Sequence, residues 1–233
     1  MIPRYKIEIR NSPEWRKFTA ATLGVSVTSP NWQNDKLASI LHFTESHFNS
    51  VRVDVSDALY RHGYIGNGMN AEEALARANS LGSLWLAQHA DLLESVRVPL
   101  QIMRWADWYT HTDYGDTLNG FYRAYQDNDD LRQAVDNDVL GFFRRQKRTP
   151  NDTEYNSSRD YFIEELAIIT IQARELSTLR IYPGDELHCF RVVRNGLIPE
   201  APKGLEREQF AKIKFCARTA PRSQSTAISL KVA

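Results

Sequence analysis

Thr19-Ala20-Ala21-Thr22-Leu23-Gly24-Val25-Ser26-Val27 is small, β-prone and apolar. It lacks the in/out alternation of a strand with one wet face, so it reads as a buried strand of a parallel sheet covered on both sides. The turn Ser29-Pro30-Asn31 follows, and Asn34 or Asp35 is expected to cap a helix whose apolar positions are Leu37, Ile40, Leu41, Thr44 and Phe48. That is a strand–loop–helix unit. Ser26 falls where its strand ends, which in an open α/β sheet is the end that carries ligands.

The same alternation of elements continues outward. Ser50 to Ser56 (SVRVDVS) is a strand by its valines. Asn70 opens a long helix, with Glu73 three residues on as in a capping box, and with Leu75, Ala78, Leu81, Trp85 and Leu92 on its apolar stripe. Val98 to Trp105 reads as a third strand, 115–147 as one or two helices, Ser157 to Leu176 as an apolar helix, and Leu179 to Tyr182 as a short strand stopped by Pro183. Strands alternating with helices predict an α/β fold around a parallel sheet. The 233 residues carry no repeat or low-complexity tract, so a single domain over 1–233 is expected.

Composition narrows the class. No apolar run approaches the roughly 18–20 residues that span a bilayer. The start, Met1-Ile2-Pro3-Arg4-Tyr5-Lys6, has no apolar export region, and two cysteines, Cys189 and Cys216, make no disulfide framework. The expectation is a cytoplasmic protein with reduced thiols. Formal net charge is zero, but basic residues cluster in Arg144-Arg145-Gln146-Lys147-Arg148 and after residue 200, where seven Lys/Arg (among them Lys212, Lys214, Arg218, Arg222 and Lys231) face three acids.

Several chemistries fail on spacing. Gly24-Val25-Ser26-Val27-Thr28 begins like a hydrolase nucleophile elbow, but Thr28 stands where the second glycine belongs. There is no phosphate-cradling Walker loop and no G-x-G-x-x-G. The six histidines have no metal-ligand spacing, so neither a metal nor a cofactor is expected. Tyr161 and Glu165 lie four apart and share a helical face. Amid Leu166, Ile168 and Ile169, one of the glutamates 164 and 165 is drawn inward. There it needs a partner or a raised pKa, and either state suits binding an amine or moving a proton.

Three features in order, Leu23-Gly24-Val25-Ser26, Tyr161-x-x-x-Glu165 and Tyr182-Pro183, resemble the tRNA-dependent cyclodipeptide synthases from about Thr19 to Pro183. Ser29, Tyr182 and Pro183 fit the subgroup with a variable residue, Tyr and Pro. The resemblance implies a Rossmann-like monomer similar to the catalytic domain of class I aminoacyl-tRNA synthetases. It implies that Ser26 takes an aminoacyl group from a first aminoacyl-tRNA, that Tyr161 and Glu165 hold its amino group, and that a second aminoacyl-tRNA extends it to a dipeptidyl-enzyme. Cyclisation, with Tyr182 supporting proton transfer, then frees Ser26. Gly24, Ser29, Pro183 and Val53 or Val55 are expected around the substrate.

Two positions depart from the family pattern: Ala20 stands where many relatives have His, and Ala167 where many have Pro. Helix 71–93, Arg-rich in some relatives, has Arg77 and almost no other base. The expected contacts to tRNA phosphates move to Arg144, Arg145, Lys147, Arg148, Lys212 and Lys214. An esterase using Ser26 and a non-catalytic tRNA-binding module remain alternative readings.

Overall fold

The computed structural model describes residues 3–217; Arg218, Arg222 and Lys231 of the basic tail lie outside them. Six strands form one sheet: β1 (Tyr5–Ile9), β2 (Ala20–Val25), β3 (Ser50–Val55), β4 (Leu100–Arg104), β5 (Leu179–Tyr182) and β6 (Gln209–Ala217). Their order is β1-β6-β5-β2-β3-β4. Every neighbouring pair is parallel except β1 with β6. The α/β fold read from the sequence is therefore present. The edge strand β1 and its neighbour β6 were not anticipated.

The helices are α1 (Asn34–His47), α2 (Arg61–Gly66), α3 (Ala71–Gln88), α4 (Ala90–Glu94), α5 (Tyr114–Asp127), α6 (Asp129–Arg145), α7 (Asp152–Glu175) and α8 (His188–Arg194). Three boundaries differ from expectation. Gln33, not Asn34 or Asp35, holds the N-cap position of α1 and makes no side-chain cap bond; Asn34 already lies inside the helix at φ 45°. The long helix opens on Asn70, whose side chain accepts from the Glu73 amide, but it breaks at His89 into α3 and α4. Helix α7 starts five residues earlier than read, at a complete capping box between Asn151 and Glu154.

The two faces of the sheet differ in chemistry. Leu23, Val25, Val51, Val53, Val55, Leu179 and Ile181 pack with Leu37, Ile40 and Trp85 of α1 and α3. Alternate residues point to the other face, where Arg52 and Asp54 are paired at 2.6 Å and both buried. Arg180 continues this row, bonded to Glu208 and to Gln172 of α7. The alternation in SVRVDVS thus records a buried ionic row, not a wet face. Beyond it, α5–α8 pack a second core around Phe121, Val135, Phe162, Leu166 and Ile168.

Candidate active site

From β2 the chain crosses to β3 on one side, while β5 flanks β2 on the other. In open α/β sheets the carboxyl ends of strands at such a reversal, here β2 and β5, are where ligands bind. Ser26 is the residue after β2 and Tyr182 the last residue of β5, so the topology brings the two to one spot.

Ser26 is half-buried and its Oγ lies 2.6 Å from the hydroxyl of Tyr60. The exposed Thr28 donates to the same hydroxyl at 2.6 Å. Tyr60 was not singled out in the sequence. It closes the short 3-10 turn Ala58–Tyr60 between β3 and α2, and no local spacing marks a residue that meets Ser26 across 34 positions. The turn starts at Asp57, fully buried, whose carboxylate accepts from the Ala58 amide at 2.7 Å and pairs with Arg104. Gly82 of α3 lies against it: a Cβ there would come within 2.0 Å of Asp57 Oδ2. Only glycine permits that approach.

Tyr60 and Tyr182 meet Ser26, and Tyr161 of α7 neighbours Tyr60, Tyr182 and Glu165. Burial pushes Tyr182 up to about 12; Glu165 and Tyr60 add to the shift and Ser26 opposes it. Burial also raises Tyr161 well above the usual phenol range, with Glu165, Tyr60 and Tyr182 as its charged or ionisable neighbours. The Glu165 carboxyl is pushed up to about 7, chiefly by burial. Arg180 opposes the shift, and Glu208, Asp138 and Glu164 reinforce it. Glu165 therefore exchanges a proton near neutrality, the range in which a side chain both gives and takes one.

Glu164 behaves oppositely. It is 2% exposed, and burial alone would raise its carboxyl, but hydrogen bonds from His62 and Arg61 outweigh burial and lower it to about 2. Arg61 grips both carboxylate oxygens. Trp105 Nε1 donates at 3.0 Å and the Tyr109 hydroxyl at 2.8 Å. His62 Nε2 lies 3.0 Å away and must carry the proton, because an ionised carboxylate only accepts. Arg61 and His62 follow Tyr60 directly, so this clamp fixes the phenol that touches Ser26.

Other expected residues stand as follows. Gly24 lies one strand over from Tyr182, and a Cβ on it would be 3.5 Å from Arg180 Nη1. Ser29 makes a turn, its amide bonded to the Ser26 carbonyl at 2.9 Å and its Oγ accepting from Asn31. Val53 and Val55 are fully buried in the core on the α1/α3 side. Pro183 ends β5 and is half-buried. Arg144, Arg145 and Lys147 are exposed at the end of α6, whereas Arg148 pairs with Glu154 and stacks on Phe143. Lys212 pairs with Asp185, and Lys214 projects from β6 into solvent. A cavity of about 550 Å3 opens elsewhere, between β1 and α1, lined by none of the expected site residues. Among the described residues no group of three or more His, Cys, Asp or Glu is arranged to hold a metal ion, and no helix is long and apolar enough to cross a membrane.

The strand order and the reversal at β2/β5 define a Rossmann-like fold. Comparison with known proteins agrees. The sequence model described as "Cyclodipeptide synthase" matches residues 13–176. The chain belongs to the cyclodipeptide synthase family, and is accordingly an aminoacyltransferase that forms cyclic dipeptides.

No curated protein matches by sequence. Among solved structures, a cyclodipeptide synthase from Fluoribacter dumoffii superimposes with a TM-score of 0.82 at 23% identity, covering 92% of this chain and 99% of that one. A Mycobacterium tuberculosis protein, described as demonstrating that these enzymes are related to type I tRNA synthetases, gives 0.69 at 14% identity over 92% and 94%. A synthase from Candidatus Glomeribacter gigasporarum, bound to Phe-tRNAPhe, gives 0.67 at 16% identity over 91% and 93%.

Proposed function

We propose that the chain acts as one catalytic domain that condenses two aminoacyl-tRNAs into a diketopiperazine by ping-pong acyl transfer through Ser26. The observation that carries this reading is the Ser26 hydroxyl at the β2/β5 reversal, hydrogen-bonded to Tyr60 and beside Tyr182, with Tyr161 and Glu165 next to these two tyrosines. Each group then has a task. Ser26 Oγ attacks the ester carbonyl of the first aminoacyl-tRNA and holds the aminoacyl group. Glu165, poised near neutrality, binds the ammonium and can take a proton from it, with the Tyr161 phenol beside it. The second aminoacyl-tRNA supplies the next residue, and the free amine closes on the Ser26 ester. Tyr182, protonated at any physiological pH, donates to the oxygen that departs on cyclisation.

The chemistry needs little activation. The substrate ester is already reactive, exchange of one ester for another is near thermoneutral, and amide formation drives the sequence. Holding the acyl groups in reacting geometry is the main demand, and such positioning is worth roughly 7–11 kcal/mol. Ser29, Tyr182 and Pro183 support assignment to the subgroup with a variable residue, Tyr and Pro. The tRNA phosphates are met by the exposed Arg144, Arg145 and Lys147 at the end of α6, which form no salt bridge among the described residues, in contrast with α3, where Arg77 stacks on Tyr64. Lys214 adds a further exposed charge, while Arg148 and Lys212 are engaged by Glu154 and Asp185.

Expression in a bacterial host followed by mass spectrometry of the medium tests this reading. A new cyclic dipeptide that disappears with Ser26→Ala is the expected result. Soluble protein with no such product rejects it.

A further inference from the structure

The Ser26 hydroxyl has no histidine beside it, yet its proton must leave as the ester forms. Its hydrogen-bonded neighbour is Tyr60, at 2.6 Å. Tyr60 is held from three sides. Asp57 anchors the turn before it. The Glu164 clamp on Arg61 and His62 fixes the chain after it. Thr28 donates to its oxygen from the loop that carries Ser26. A phenol accepts at its oxygen and donates through its single hydrogen, so one group in this position can take a proton from Ser26 and release its own elsewhere.

We infer that Tyr60 is a catalytic residue that shuttles the Ser26 proton to the departing ribose oxygen of the first tRNA, with Thr28 as the positioning residue that holds the phenol. The inference rests on Ser26 being the acyl-accepting nucleophile. In the step, the Ser26 Oγ–carbonyl bond forms and the carbonyl–ribose oxygen bond breaks. The Ser26 proton passes to the Tyr60 oxygen while the phenolic proton passes to the ribose oxygen. Tyr60 ends as it began, no charge is left in the half-buried site, and no co-reactant is consumed. The Thr28 hydrogen bond stabilises negative charge on the phenol oxygen at mid-transfer. The residue that spoils the hydrolase elbow thus has a task of its own. A histidine base would become a cation, whereas this relay begins and ends neutral.

The test is single-turnover formation of the aminoacyl-enzyme from a labelled aminoacyl-tRNA, read by intact-protein mass. Tyr60→Phe keeps the ring and removes the relay. The maximal rate should fall by about 10²–10⁴-fold, with the tRNA concentration for half-maximal rate and the urea midpoint unchanged. The wild-type solvent deuterium effect, which reports both protons in flight, should shrink in the variant. Thr28→Val, at an exposed position, should cost about tenfold, the worth of one hydrogen bond to a partly charged oxygen. It carries the test if Tyr60→Phe does not fold. Wild-type rates in the foldable variant, or a loss confined to half-saturation with the isotope effect intact, overturn the inference. A wild-type protein that forms no adduct at all rejects the Ser26 reading instead.

Discussion

Glu164 and Glu165 are chain neighbours on α7, yet their carboxyls are driven in opposite directions, to about 2 and about 7. Both are taken from water. Glu164 receives Arg61, His62, Trp105 and Tyr109 in exchange. Glu165 receives no hydrogen-bonded cation; Arg180 only moderates the effect of burial. The difference separates architecture from chemistry within one helical turn. A carboxylate fully satisfied by partners is a fixed anion that ties α7 to α2. A carboxyl left poised is free to exchange protons with substrate, and two such groups with divergent pKa values mark a division of labour.

That division can be broken by substitution. Glu165→Gln should lower cyclic dipeptide formation by about 10²–10⁴-fold, the usual worth of a positioned acid–base group, while the protein stays folded; product quantification by mass spectrometry against the urea midpoint checks both halves. Glu164→Ala should act chiefly on stability. It strands Arg61 in a half-buried site, and removing one partner of a buried pair costs about 3–5 kcal/mol. Urea unfolding reads that loss, and a Glu164→Ala protein of wild-type stability would erase the distinction.

The two groups also leave opposite marks on the pH dependence of stability. Glu165 binds its proton more tightly folded than unfolded. Stability therefore falls as pH rises from about 4.5 to about 7, by about 3 kcal/mol at most, and then levels. Glu164 binds its proton less tightly folded. Its contribution is complete above about 4.5 and is lost as pH falls toward about 2. Glu165→Gln should abolish the first trend and leave the second, as unfolding curves across pH would record. The smallest expected effect lies far from either glutamate. Replacing Arg144, Arg145 and Lys147 with Gln should weaken tRNA binding about tenfold and reduce its salt dependence by about one unit of slope per cation, without altering the urea midpoint.

The same contrast explains what could be read in the chain alone. The strands β2, β3, β4 and β5 and helix α7 are legible because apolar runs and period record burial directly. The assignment of roles to Ser26, Tyr161, Glu165 and Tyr182 rests on a family resemblance, not on spacing. Tyr60 was not legible, because its partner Ser26 is a tertiary neighbour with no periodic relation to it. Glu164 and Glu165 look alike in sequence; only Arg61, His62 and Tyr109, brought in from other elements, tell them apart. Strands β1 and β6 were overlooked although Lys6-Ile7-Glu8-Ile9 and Ala211-Lys212-Ile213-Lys214 do alternate with period two, burying Ile7, Ala211 and Ile213. The charges of β6 read as part of a basic tail, whereas Lys6 and Glu8 of the edge strand β1 stand on its outward positions, where charge resists further pairing.

All of this turns on Ser26 carrying an acyl group. The most direct measurement is the intact mass of the protein after brief mixing with a single aminoacyl-tRNA. The account predicts a gain of one aminoacyl residue, mapped to Ser26 and absent from Ser26→Ala. An adduct that persists in Ser26→Ala, or cyclic dipeptide formed by that variant, would contradict it.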